Sequence, residues 1–437
     1  MLNFGISGKY RHLYPITAAI LAMFAMIALI WSQFYPYIMR FYDLDEIAPI
    51  ALSASISASG MLIFQIVAGF IADRFGPKLP MALAGACYLA GMSVISWMFS
   101  YEGWEAARVY WYAGSFIVGI GAGFYVGTFP VVIGRWFPDS PGRAFGITIF
   151  GQNISPLIMS PLAAYLITNT GLPNTFVSLG LLVFALMYLI GFVLWKIPSH
   201  DWLPEGFKPP LESGDAHFSL SQAVRDARFW ILFTVMFSTA IGWFLILMNV
   251  ATIIMEGLAE KAGIDAEYVA GSFVPLFMSV TAVGNAVGAL AWGTINDRIG
   301  GPLRTLPLIY AIGGIMIVLF YLAYTNPLLI LLVGILLYFA LGGEPTVHFA
   351  AVPTFFGRKF VGRITTVLNV SVMSSAILGP YVGAFIRDQV GSYMWALFMA
   401  ALLHFFAAAV VLVGRKYAGG DESVQIWKSE SIRNRRS

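Results

Sequence analysis

The chain has 437 residues, of which 59% are hydrophobic and only 11% charged, and it carries a net charge of +3. Charged residues make up about a quarter of an ordinary soluble domain, so this composition excludes a water-soluble globule, and the small positive balance gives no sign of a nucleic-acid partner. The single cysteine, Cys87, lies inside an apolar block, which leaves no disulfide framework and no cysteine metal site.

Uncharged apolar blocks of roughly 18 residues or more read as membrane spans. In chain order they fall at 14–39, 47–72, 80–100, 108–134, 143–168, 174–196, 229–254, 267–295, 304–324, 327–354, 362–386 and 392–414. The first, from Tyr14, is too long for a signal peptide and lacks a small-residue cleavage site, so it is expected to remain as a span. The pattern predicts an all-α membrane protein with twelve transmembrane helices in two pseudo-symmetric six-helix bundles. The bundles occupy 1–196 and 229–414, with a connector at 197–228 and a tail at 415–437. The connector holds Pro198, Pro204, Pro209, Pro210 and the run Glu212-Ser213-Gly214-Asp215. Its end, Ser219 to Arg228, is expected to form a short amphipathic helix at the membrane surface.

The basic residues set the orientation. With the N-terminus inside, one side carries Lys9, Arg11, Arg74, Lys78, Arg135, Arg143, Arg298, Arg304, Arg358, Lys359, Arg363 and the basic residues of connector and tail. The other carries only Arg40, Arg108, Lys261 and Arg387, among acidic loops with Asp43, Asp45, Glu46, Glu102, Glu105, Glu256, Glu260, Asp265 and Glu267. The positive-inside rule then places both termini in the cytoplasm of a cell whose plasma membrane the chain crosses many times.

The halves repeat. After the second span stands Gly69-Phe-Ile-Ala-Asp73-Arg74-Phe75-Gly76-Pro77-Lys78, and after the eighth Gly293-Thr-Ile-Asn-Asp297-Arg298-Ile299-Gly300. The fifth and eleventh spans both open on Gly-Arg (Gly142-Arg143 and Gly362-Arg363), carry a late proline (Pro161 and Pro380) and end at Gly171 and Gly391. Repeats of this kind build the central sites of many transporters.

The doubled Gly-x-x-x-Asp-Arg-x-Gly pattern resembles the loop motif of the major facilitator superfamily, and the resemblance covers essentially the whole chain. Asp73-Arg-Phe-Gly-Pro-Lys78, Arg135-Trp-Phe-Pro with Gly142-Arg-Ala-Phe-Gly146, and Arg228-Phe-Trp resemble its monocarboxylate-transporter-like and oxalate/formate-exchanger-like branch. The resemblance implies alternating access, with the first, fourth, seventh and tenth helices lining the cavity. Asp73, Arg74, Lys78, Asp297 and Arg298 are then candidate gate residues. Asp73 can accept hydrogen bonds from backbone N–H groups at a neighbouring helix N-terminus, and Arg74 and Lys78 can meet carboxylates or helix C-termini. The plainer reading of the motif is a topology anchor.

Glu344 and His348 lie mid-way along the tenth span, four residues apart and so on one helix face. A carboxylate at that depth is costly unless it is protonated, paired or in contact with water. Gly342-Gly343-Glu344-Pro345 is expected to loosen the helix there. Proton coupling, a hydrogen-bonded pair bracing the helix, and a metal site are all open readings. The last has too few ligands for a closed coordination shell, so no metal and no cofactor is expected. His404 reads as structural, because the resemblance puts the twelfth helix at the periphery.

The remaining embedded polar groups are neutral amides: Gln33, Gln65, Gln152, Asn153, Asn249, Asn285 and Asn369. With Trp31, Tyr35, Tyr125 and Trp243, a set drawn from them (Gln33, Gln152, Asn153, Asn285, Asn369) makes the candidate substrate contacts, since small-molecule sites are apolar with a few placed polar groups. Interhelical hydrogen bonding is the bland alternative. Gly119-Ile-Gly121-Ala-Gly123 reads as close helix packing, for no strand or phosphate-binding lysine accompanies it.

The carboxylate carriers resembled here place a cation in the eighth or eleventh span. This sequence offers Asn285 in one, and Asn369, Ser371 and Val372 in the other. A doubly charged substrate therefore fits less well than a monocarboxylate travelling with a proton. The expected function is secondary transport of such an acid by a monomer embedded in the lipid bilayer. Export of amphipathic compounds and a transport-inactive sensor are the alternatives. No catalytic set is brought together by the sequence.

Overall fold

A computed structural model describes residues 10–44, 48–199, 202–204 and 218–417. Asp45, Glu46, Lys9, most of the connector (including Pro209, Pro210 and the run from Glu212 to Asp215) and the tail beyond Tyr417 lie outside the described residues. Every predicted span is helical over most of its described residues, and no strand occurs among the described residues.

The first span is the least regular. Helix Leu13–Ala25 passes into a 3-10 stretch over Ile27–Phe34 and resumes as Tyr35–Tyr42. The second to sixth spans are Ala48–Phe75, Lys78–Trp97, Trp104–Trp136, Pro141–Thr170 and Leu172–Leu186, the last extended by a π-helical turn over Met187–Leu194. The seventh is Ala227–Ile254 with a π-helical extension, Met255–Lys261, and the eighth is Val274–Ile299. The ninth to twelfth are Pro302–Ala323, Pro327–Phe356, Val361–Val390 and Met394–Tyr417.

Among the described residues, eleven helices are long and apolar enough to cross a bilayer. The other spanning helix is Pro141–Thr170. Its 30 residues reach about 45 Å, ample for the crossing, but Gln152, Asn153, Ser155, Pro156, Ser160 and Pro161 dilute its apolar character. The chain is thus an all-α membrane protein with twelve spanning helices.

Local chemistry sets the helix ends. Ser219 and Gln222 form a capping box at the start of Leu220–Arg225. The amphipathic helix expected to reach Arg228 stops instead at Asp226, whose extended backbone breaks it. The Asp226 carboxylate accepts from the Arg228 N–H and so caps the seventh span. Its hydrogen bonds with the Arg228 side chain hold that carboxyl below the usual range. Gly76 and Gly300, at φ +83° and +100°, end the second and eighth spans in the left-handed region that other residues avoid. The tenth span runs unbroken through Pro345, which the sequence expected to loosen it.

The described residues of Met1–Phe137, Gly151–Trp202 and Arg358–Thr366 form one compact unit, and those of Pro138–Phe150, Leu203–Gly357 and Val367–Ser437 form another. In the first, the second span packs along the fourth, the fourth along the third and the third along the sixth. In the second, the eighth packs along the tenth, the tenth along the ninth, the ninth along the twelfth and the twelfth along the seventh. The repeat in the sequence is therefore a repeat in packing. Glycines make it close: a Cβ on Gly119, Gly123 or Gly127 would lie 2.0, 2.8 or 2.2 Å from the carbonyl oxygens of Ser57, Met61 and Gln65. Gly288 and Gly342 stand equally near Phe339 and Asn285. Small residues of this kind let membrane helices touch backbone to backbone.

Candidate functional site

The repeated motif builds the same contact twice. Asp73 lies in the last turn of the second span, one helical turn after Gly69. Its carboxylate accepts from the backbone N–H of Gly362 at 3.2 Å and of Arg363 at 2.9 Å, the first turn of the eleventh span. Asp297 does likewise for the fifth span, accepting from Gly142 N at 2.8 Å and Arg143 N at 2.7 Å. The first N–H groups of a helix have no partner within it and favour negative charge, so each aspartate is a cap supplied by a distant part of the chain. The motif glycine makes the approach possible. A Cβ on Gly69 would sit 2.6 Å from Gly362 O, and one on Gly293 2.2 Å from Gly142 O. Gly and Asp are four residues apart because they must share one face.

The two contacts differ in charge. Asp73 also meets Arg135 at 3.2 Å, with both side chains almost wholly buried. Arg135 donates further to the carbonyl oxygens of Lys359 (2.7 Å) and Arg358 (3.2 Å). Arg358 in turn donates to the carbonyls of Arg135 and Trp202, and its burial, with Arg135 nearby, holds its pKa below the usual arginine value. Asp297 has Asn296 Nδ2 at 3.2 Å as its other donor and no ion pair among the described residues. Arg74, Lys78 and Arg298 are exposed and make no ion pair among the described residues; Arg74 lies over the Phe75 ring.

Deeper in the second unit is a cluster of ionisable groups. Glu344 and His348 share a face of the tenth span and are each 5% exposed, yet each turns to a different partner. His348 Nε2 is 2.6 Å from the hydroxyl of Tyr310 on the ninth span. Glu344 Oε1 is 3.2 Å from Nε2 of His404 on the twelfth, an ion-pair distance. His404 is fully buried and lies in a slot: a Cβ on Gly242 or Gly313 would press on its ring at 3.0 and 3.1 Å.

The profile of the Major Facilitator Superfamily matches residues 16–283. The chain belongs to this superfamily. Several relatives match across most of the facilitator, among them two named for organic acids. The oxalate:formate antiporter of Oxalobacter formigenes is 25% identical over 343 residues, covering 78% of this chain and 76% of that one. The gallate transporter of Pseudomonas putida is 25% identical over 388 residues, covering 82% and 81%. A solved proton:xylose symporter, XylE, superposes with a TM-score of 0.67 at 14% identity, over 92% of this chain and 95% of that one. The facilitator is accordingly a multi-pass membrane transporter and not an enzyme.

Within each unit of this facilitator, several of the aromatic and amide candidates make contacts of their own. Trp31 Nε1 donates to Ser53 Oγ at 3.0 Å, and its ring stacks on Trp111. Tyr125 OH donates to Ala18 O at 2.8 Å, and Gln33 Nε2 to Ser160 O at 2.9 Å. Tyr35 and Asn369 are buried, while Gln152, Asn153 and Asn285 are half-buried. Trp243 meets Tyr338 edge-on. Two further residues stand in these contacts, Arg135 beside Asp73 and His404 beside Glu344. Arg135 was legible only as a basic residue of an inner loop, although its position in Arg135-Trp-Phe-Pro carried a signal. His404 reads from the sequence as structural, and no local pattern shows that it faces Glu344.

Proposed function

We propose that this facilitator is a proton-linked secondary transporter of a small organic acid that works by alternating access. One observation carries the reading: among the described residues, the only ionisable carboxyl and imidazole groups deep within the spans are Glu344, His348 and His404, with Arg and Lys confined to span ends. An organic anion crossing a low-dielectric interior needs a compensating positive charge. Without a fixed cation, a proton supplies it. The relatives named for oxalate, formate and gallate support an acidic substrate.

The roles follow. Glu344 and His348 belong to the proton-coupling group. Gln152, Asn153, Asn285 and Asn369 offer amide donors to a carboxylate, while Trp31, Gln33, Tyr35, Tyr125 and Trp243 shape the walls. Asp73 and Asp297 are the latches of the cytoplasmic gate, with Arg74, Lys78 and Arg298 as the basic rim at its membrane surface. The helix-capping bonds of Asp73 and Asp297 form in one state and break in the other, which is the two-state element that alternating access requires.

The test uses purified full-length protein in liposomes with labelled formate, acetate, oxalate and gallate. We expect uptake of a monocarboxylate to rise with an acidic exterior and to collapse with a protonophore. Glu344→Gln should lose this pH drive and keep exchange of labelled for unlabelled substrate. Uptake indifferent to the pH gradient, or thermal stabilisation by cationic amphiphiles in place of acids, would overturn the proposal. A ligand at a hundred times its Kd stabilises by about 2.7 kcal/mol, well within reach of a melting measurement.

A further inference from the structure

We infer that Glu344 and His404 form a single-proton site, with one proton held between Oε1 and Nε2 and the pair neutral as a whole. The argument begins at the far side of the imidazole. His404 Nδ1 is 2.8 Å from the carbonyl oxygen of Ala400. A carbonyl can only accept, so Nδ1 carries a hydrogen. In a neutral imidazole Nε2 is then a bare lone pair, and it faces a carboxyl oxygen 3.2 Å away.

Four charge states are conceivable, and two can be set aside. A carboxylate opposite a bare nitrogen sets two acceptors against each other and leaves an unpaired negative charge in a fully buried place. A protonated carboxyl opposite an imidazolium leaves an unpaired positive charge at the same depth. The two states that remain, carboxylic acid with neutral imidazole and carboxylate with imidazolium, contain the same single proton. Neither Glu344 Oε1 nor His404 Nε2 has another hydrogen-bond partner among the described residues, so no third group competes for a proton at these two atoms.

The surroundings favour this site over the pair suggested by helix spacing. His348, one turn along the same helix, is engaged by Tyr310 of the ninth span at 2.6 Å. From the seventh and ninth spans the slot presents Gly242 and Gly313 to the His404 ring, and from the eighth Trp292 lies against Gly343. No lysine or arginine from these helices faces the pair among the described residues. Because its halves stand on the tenth and twelfth spans, a shift of one helix against the other would load or strip the proton. This site deepens the proposed proton-linked reading by giving its proton an address, and it makes His404 a positioning partner for that proton.

Solid-state 15N NMR of the histidine-labelled full chain in liposomes tests the site without any substrate. His404→Gln identifies the His404 signals among the five histidines. In the wild type we expect Nδ1 protonated and Nε2 displaced from the bare-nitrogen position by the shared proton. In Glu344→Gln the side-chain amide donates to Nε2, so Nε2 should read as a bare accepting nitrogen. His348→Gln should leave the His404 signals in place. A wild-type His404 protonated at Nε2 and bare at Nδ1 would overturn the inference, as would identical Nε2 signals in wild type and Glu344→Gln. If Glu344→Gln does not fold, Glu344→Asp serves: a shorter carboxyl should weaken the displacement, and an unchanged signal counts against the site. The NMR reading and the uptake assay fail independently. An intact proton signature with pH-indifferent uptake sinks the transport proposal alone, and pH-driven uptake with no signature sinks the site alone.

Discussion

Asp73 and Asp297 hold equivalent places in the repeated motif, but their surroundings make them unequal. Both cap a helix with two backbone bonds, and Asp73 alone neutralises a buried arginine. Removing one partner of a buried pair commonly costs about 3–5 kcal/mol, because the other charge is left stranded. Loss of charge-assisted hydrogen bonds alone costs about 1.5–3 kcal/mol per bond, and asparagine would still accept one. Asp73→Asn should therefore slow transport more than Asp297→Asn, by tenfold or more, since about 1.4 kcal/mol is a factor of ten. Initial uptake rates at matched protein in liposomes decide it; equal rates for the two variants would mean that Arg135 contributes nothing to the latch. The aspartates could be read from the sequence because a motif that occurs twice marks itself. Their partners could not, because Arg135 lies 62 residues from Asp73 and the Gly362 amide 289, and only the fold measures such distances.

Among the elements, the glycines of the motif act as spacers between helices. Gly69 and Gly362 approach so closely that a methyl on either would meet the other's carbonyl at 2.6–2.7 Å, and Gly142 and Gly293 are closer still. Backbone cannot yield as a flexible side chain can, so Gly69→Ala must push the eleventh span away and lengthen the bonds from Gly362 and Arg363 to Asp73. Hydrogen exchange in the peptide that opens the eleventh span should then speed up, with transport falling in step. Gly103→Ala, where a Cβ meets nothing within 4 Å, is the control. Unchanged exchange in Gly69→Ala would refute the spacer role. The helices themselves were highly legible: long apolar blocks and Gly-Pro punctuation gave all twelve to within a few residues at most ends. What escaped was decided by side-chain chemistry across turns and helices. Asp226 ended one helix to cap the next, and Pro345 sits within an unbroken helix.

For the whole molecule, the proposal that both termini face the cytoplasm rests on charge. Lysine and arginine cost several times more to place in the hydrocarbon than leucine gains, and the excess of basic residues on one set of loops selects the side that does not cross. Within the first unit this same end gathers its cations into contacts: Arg11 donates to Trp136 O at 3.0 Å and lies over Phe137, and Arg358 bonds Trp202 O at the start of the connector. At the opposite end, Glu102 in the loop between the third and fourth spans and Glu105 in the first turn of the fourth are exposed. A single cysteine, Cys87, makes the orientation measurable once it is replaced by alanine. Ser221→Cys puts an exposed thiol on the connector's short helix, and Glu102→Cys puts one on the acidic loop. A membrane-impermeant maleimide added to intact cells should label the second and leave the first untouched until the cells are lysed. The reverse pattern would invert the molecule in the membrane. Asp73 and Asp297 would then latch the outer face, and the direction of every proton step through Glu344 would have to be reversed with them.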